Sequence, residues 1–244
     1  MRSVTQDPGY GARPWRHSLG QPVREPVTPG GIFCDAEGVT AESGTHPGRE
    51  GAQPPVAARA PELVLCAVDE PLADAWTAAA QKLAGRVRVH RGSVLDVVAQ
   101  AVVSPANSYG WMRGGIDAVY AQAFPGVEQS VRSAVLAFHG GELPIGDAVV
   151  VPTGEAEPAW LISAPTMREP GERLPADTVH PYLAARAVFL TWRDGRLDHG
   201  PVREYVDTIA MPGLGTGVGG VAPATCARQV AAAWDEVFGN RHSR

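Results

Sequence analysis

Ala101-Val102-Val103-Ser104-Pro105-Ala106-Asn107 runs into Ser108-Tyr109-Gly110-Trp111-Met112-Arg113, and then into Gly114-Gly115-Ile116-Asp117. A short apolar β-type run, a glycine-containing loop and a helix-forming segment follow one another here. The pattern returns near the other end of the chain. Tyr205 to Met211 is apolar, Gly213-Leu214-Gly215-Thr216-Gly217-Val218-Gly219-Gly220 holds five glycines in eight residues, and Pro223 opens a helical segment. Ordering so many glycines carries a large entropic cost unless close backbone approach is useful. Glycine lets main-chain amides converge on an anion, and a helix amino terminus adds favourable polarity. Two such loops at strand ends point to one cleft for a phosphate-bearing ligand.

Working outward, the segments alternate in type. Strands are expected at 62–68, 86–90, 101–103, 148–151, 160–164 and 205–211. Helices are expected at 72–83, 117–124, 127–138, 181–192 and 223–238. In the last helix Ala227, Val230, Ala231, Trp234 and Phe238 share a stripe. Strands alternating with helices imply α/β layering around a mixed or mainly parallel sheet, whose ligands sit beyond the carboxyl ends of the strands. Both glycine loops fall at such ends.

The first sixty residues differ in kind: seventeen are Gly or Pro, and no apolar run is long enough for a helix or buried strand. Residues 1–60 therefore read as a disordered leader, either non-conserved or the product of a start codon set too far upstream. Residues 61–244 read as one folded domain, long enough to bury about 70% of the unfolded chain's surface.

Composition narrows the function. Cys34, Cys66 and Cys226 are odd in number and far apart, so neither a disulfide framework nor a CxxC metal site is expected, in keeping with a reducing cytoplasm. The seven histidines show no ligand spacing, and no metal or cofactor is expected. A net charge of −5 argues against non-specific nucleic-acid binding. No apolar run reaches the ~18 residues of a membrane-spanning helix, so no membrane partner is expected.

Gly215-Thr216-Gly217-Val218-Gly219-Gly220 matches GxGxxG literally, but a dinucleotide fold needs a further strand and an acidic residue about 20 positions on. One helix remains before the chain ends, so Asp235 and Glu236 fall inside it and that reading fails. A P-loop fails because no Gly-Lys-Ser/Thr follows either loop. Phosphate cradling by amides survives both exclusions. The carboxamide of Asn107 suits vicinal ribose hydroxyls or, equally, an Asx-turn. Asp117, at the helix entry, is either an N-cap or a carboxylate that orients or deprotonates a water.

Taken together, these motifs resemble the macro domain family. Ser104-Pro105-Ala106-Asn107 stands where the family carries NAAN, and Gly114-Gly115-Ile116-Asp117 looks like its GGVD. Pro212 to Val218 is similar to its diphosphate loop. The resemblance spans roughly 62–238. It implies a three-layer α/β/α sandwich that binds ADP-ribose or a related NAD metabolite. Gly213, Leu214, Gly215, Thr216, Gly217, Val218 and Gly219 would wrap the diphosphate. Asn107 with Gly114 and Gly115 would hold the distal ribose, Ser93 would stand at the adenine amino group, and Val94, Ala106 and Ile116 are further ligand-binding positions. It further implies a catalytic pair, Asn107 and Asp117, in a metal-independent water attack that frees ADP-ribose from a modified acceptor; the alternative is a reader without chemistry. Three positions depart from the family. Ser93 replaces an Asp, Gly219 replaces Tyr or Phe, and Met112-Arg113 replaces two glycines, leaving Arg113 either facing an anion or solvated.

Overall fold

The computed structural model describes residues 60–239; the leader expected at 1–60 lies outside the described residues but for Ala60. The strands are β1 (Glu62–Ala67), β2 (Val87–Arg91), β3 (Ala101–Ser104), β4 (Val149–Pro152), β5 (Trp160–Ser163), β6 (Arg196–Leu197), β7 (Gly200–Pro201) and β8 (Thr208–Met211). The helices are α1 (Glu70–Ala80), α2 (Gly115–Ala123), α3 (Val127–His139), α4 (His180–Asp194), α5 (Val202–Tyr205) and α6 (Pro223–Phe238). Six strands form one sheet in the order β2-β1-β8-β3-β5-β4. All neighbours are parallel except β4 and β5, which are antiparallel.

Strand alternation sorts the core into two layers. Leu63, Leu65, Val103, Ile162, Ile209 and Met211 face α1, α4 and α6. Val64, Cys66, Val102, Leu161 and Ala210 face α2 and α3, where Tyr120, Val127, Val131 and Val135 pack on them. Both faces are thus covered, which is why β1 and β8 read as unbroken apolar runs rather than as alternating ones. The result is the three-layer sandwich that the sequence resemblance implied.

Two ties fix α1 beside the sheet. The Asp69 carboxylate accepts from the Leu72 amide at 3.0 Å, and the Trp76 indole donates to the Cys66 carbonyl at 3.3 Å. On the same face, Phe189 of α4 meets Trp234 of α6 edge-on at 5.3 Å. The small β6–β7 hairpin and α5 went unread in the sequence, their two- to four-residue spans being too short to show a period. Helix α2 begins at Gly115, not Asp117, and its N-cap is Gly114. The N-cap reading of Asp117 is therefore replaced: it sits in the first turn.

Candidate functional site

A cleft of about 860 Å³ opens at the carboxyl ends of the parallel strands. Strand order dictates what lines it. At the β2 and β1 ends stand Gly92, Ser93, Val94, Val68 and Asp69; at the β8 end, Gly213, Gly215, Thr216, Gly217 and Val218; at the β3 end, Asn107, Trp111, Arg113, Gly114, Gly115, Ile116 and Asp117. The two glycine loops meet there, since a Cβ built on Gly115 would lie 3.8 Å from Cγ2 of Val218.

The second loop is held by close approach. Gly215 has φ +69°, a conformation that suits glycine, and its carbonyl lies 2.6 Å from where a Cβ on Gly219 would stand. Two predicted ligand residues of this loop do not line the cleft. The Leu214 side chain is fully buried in the core and its amide donates to the Cys226 sulfur at 3.3 Å. Gly219 is buried, and its carbonyl accepts from the Leu174 amide at 2.9 Å. The Leu174 side chain occupies the space beside it, 3.0 Å from where a Cβ on Gly219 would stand. Ala106 is likewise beneath the surface, its carbonyl accepting from Thr166 at 2.9 Å.

Leu174 and Thr166 belong to the connection between β5 and α4, which sequence reasoning passed over. It contributes Met167, Pro170 and Gly171 to the cleft wall. It is stitched to the first loop through Ser108, whose amide donates to the Met167 carbonyl at 3.1 Å. Its Pro, Gly and charged residues carry no periodicity, so only contacts distant in sequence reveal it.

Asn107 makes the Asx-turn. Its Oδ1 accepts from the amides of Tyr109 at 3.2 Å and Trp111 at 3.3 Å, and its Nδ2 donates to the Trp111 carbonyl at 2.7 Å. One amide hydrogen is left over. Met112, buried, donates its amide to Glu128 of α3 at 3.0 Å, so the loop is anchored from below. Arg113 is exposed and has no ion pair among the described residues; its guanidinium lies over the Trp111 ring, 4.2 Å from the centroid. Ser93 caps the short 3-10 turn at Val94–Asp96, accepting from Leu95 at 3.2 Å; its own O–H remains available.

Asp117 is only 6% exposed and accepts a 2.6 Å hydrogen bond from the Ser104 hydroxyl. Burial pushes its carboxyl up to about 6; the Ser104 bond opposes the rise and the charge of Glu128 adds to it. A carboxylate tuned to that range, facing a cleft, is suited to taking a proton at neutral pH. Cys66 also lines the cleft, but burial raises its thiol to about 12, which makes it a poor nucleophile. Among the described residues no group of three or more His, Cys, Asp and Glu is placed to hold a metal, and no helix is long and apolar enough to cross a membrane.

Layering, strand order and a cleft built from two glycine loops define the class: an α/β/α domain with an open cleft at its strand ends. The Macro domain family model matches residues 103–230, just over half of the chain, and the protein belongs to that family. An "Uncharacterized protein" of Aquifex aeolicus is 36% identical over 142 residues, 58% of this chain and 76% of the relative. Another from Aeropyrum pernix is 34% identical over 160 residues, 65% and 73% of the two chains. Among solved structures, the macrodomain of Mycobacterium tuberculosis DarG superposes with a TM-score of 0.50 at 22% identity, covering 62% of this chain and 90% of that one. The Oceanobacillus iheyensis macrodomain with ADP gives 0.50 at 15% identity, covering 62% and 75%. At these identities the likeness is one of fold.

Proposed function

We infer that the cleft binds ADP-ribose and that the domain cleaves the bond joining its distal ribose to an acceptor. The convergence of Gly114-Gly115 and Gly213 to Val218 on one cavity carries the reading, and family membership supports it. The diphosphate would lie across these loops at the β8 end, where amide hydrogens and small residues allow close approach. Adenosine would extend toward Ser93, Val94 and Val68, and the distal ribose toward Asn107 and Asp117. With its oxygen spent in the turn, Asn107 would offer the ribose its one remaining amide hydrogen.

Asp117 would act as general base on a water at the anomeric carbon. The water oxygen bonds to that carbon as its proton passes to Asp117, and the carbon–oxygen bond to the acceptor breaks. A carboxylate acceptor leaves as an anion, so no separate acid is required. The alternative reading, a binding module without turnover, is favoured by the engaged Asn107 carboxamide.

Titration calorimetry with ADP-ribose, ATP and NAD, paired with release of ADP-ribose from a glutamate-linked substrate, tests both parts. Preference for ADP-ribose is expected. Asp117→Ala should bind it within a few-fold of the parent yet lose at least 100-fold in turnover. Indifference among the three nucleotides removes the ligand assignment, and unchanged turnover in the variant removes the base.

A further inference from the structure

Beside the distal end of the cleft, Trp111 carries two arginines. The Arg113 carbon Cζ lies 4.2 Å from the indole centroid and that of Arg132, on α3, lies 3.5 Å away. Two guanidinium groups this close to one centroid would overlap on the same face, so they cover opposite faces. Both residues are exposed, and neither has a carboxylate within 4 Å among the described residues. Elsewhere Arg86, Arg88, Arg91, Arg168, Arg186 and Arg193 are ion-paired, whereas Arg173, Arg196, Arg203 and Arg228, like this pair, have no carboxylate partner among the described residues. What sets this pair apart is that both guanidiniums meet on one indole, a local concentration of positive charge on a chain whose net charge is −5.

The stack is also pre-set. Asn107 holds both the amide and the carbonyl of Trp111, and Glu128 holds the next amide. Gly110, at φ +70°, lets the loop settle on α3, where a Cβ would stand 2.8 Å from Val131 and 3.3 Å from Arg132. Two acidic groups of this loop and of α3 are already engaged: Glu128 bonds the Met112 amide, and Asp117 is buried against Ser104.

We propose that Trp111, Arg113 and Arg132 form an acceptor-side subsite for an acidic peptide segment flanking the ADP-ribosylated residue. This rests on the ADP-ribose reading of the cleft. Opposite faces of one ring put the two Cζ atoms about 7 to 8 Å apart. Alternate side chains on one face of an extended peptide stand about 7 Å apart, so carboxylates two residues apart match the two guanidiniums. Each guanidinium can present its N–H fork to a carboxylate while stacked. Single-stranded nucleic acid is the weaker fit, because it is usually held by bases stacking on aromatic faces and both faces of this indole are covered.

The test is equilibrium binding at low salt, with the full chain carrying Asp117→Ala as the non-hydrolysing parent, to three ligands. These are ADP-ribose, a peptide ADP-ribosylated at one glutamate with Asp two residues apart beside it, and the same peptide with Asn in place of those Asp residues. The acidic peptide should bind about ten-fold tighter than its neutral twin, and Arg132→Gln should remove most of that margin while ADP-ribose binding stays within two-fold. Arg113→Gln combined with Arg132→Gln should abolish the margin. If ADP-ribose binds and the two peptides bind alike, the subsite is refuted and the cleft reading stands; if ADP-ribose does not bind at all, the cleft reading itself fails. An oligonucleotide of equal charge that displaces the acidic peptide from the parent at lower concentration than free acidic peptide does would overturn the choice of partner.

Discussion

Asp117 shows how the burial of one carboxyl couples its protonation to the stability of the fold. Its folded-state value, about 6, lies above the ordinary 3.8, so the fold favours the protonated form. That contribution is fully present below the ordinary value and is lost as pH rises through about 6. At pH 7.5 the buried anion costs on the order of 3 kcal/mol relative to an unshifted carboxyl. Asp117→Asn removes the charge and leaves Ser104 a carbonyl to bond. It should raise unfolding free energy by about 1–3 kcal/mol at pH 7.5 and give no such gain at pH 4. Urea unfolding at both values checks this; equal effects at the two pH values would mean the carboxylate is not strained by burial. In the parent, turnover should climb with pH through an inflection near 6. Ser104→Ala should move that limb upward, because the hydroxyl stabilises the charged form.

Among the elements, the second glycine loop depends on backbone-to-backbone approach rather than on side chains. A methyl on Gly219 would meet the Gly215 carbonyl at 2.6 Å, whereas one on Gly217 meets nothing within 4 Å. Gly219→Ala should therefore lower unfolding free energy by about 1–3 kcal/mol and weaken ADP-ribose binding, as overpacking does in general. Gly217→Ala should leave the thermal midpoint in place. If the two variants melt alike, the loop is more pliant than its contacts imply. The β5–α4 connection enters the same account, since Leu174 both fills the space beside Gly219 and donates its amide to the Gly219 carbonyl.

Across the whole molecule, the cleft draws on the exits of five parallel strands, so a bound ligand ties together β2, β1, β8, β3 and β5. Ligand binding should accordingly appear as global stabilisation. ADP-ribose at 100 times its Kd should add about 2.7 kcal/mol, or about 5 to 10 °C in thermal midpoint for a domain of this size. A midpoint that stays put at saturating ADP-ribose contradicts the ligand assignment.

Much of this was legible in the chain. Alternating apolar runs gave the α/β class, because burial on both faces imposes continuous hydrophobic strands on a parallel sheet. Glycine clusters marked the strand-end loops, because few other residues tolerate such approach. What stayed hidden depends on partners far apart in sequence. Asp117 bonds Ser104 rather than a helix end, Leu174 covers Gly219, and Arg132 reaches Trp111 from another element. Local pattern records which side chains must be buried or small. Which neighbour each one meets is set only when the chain folds back and brings separate segments into contact.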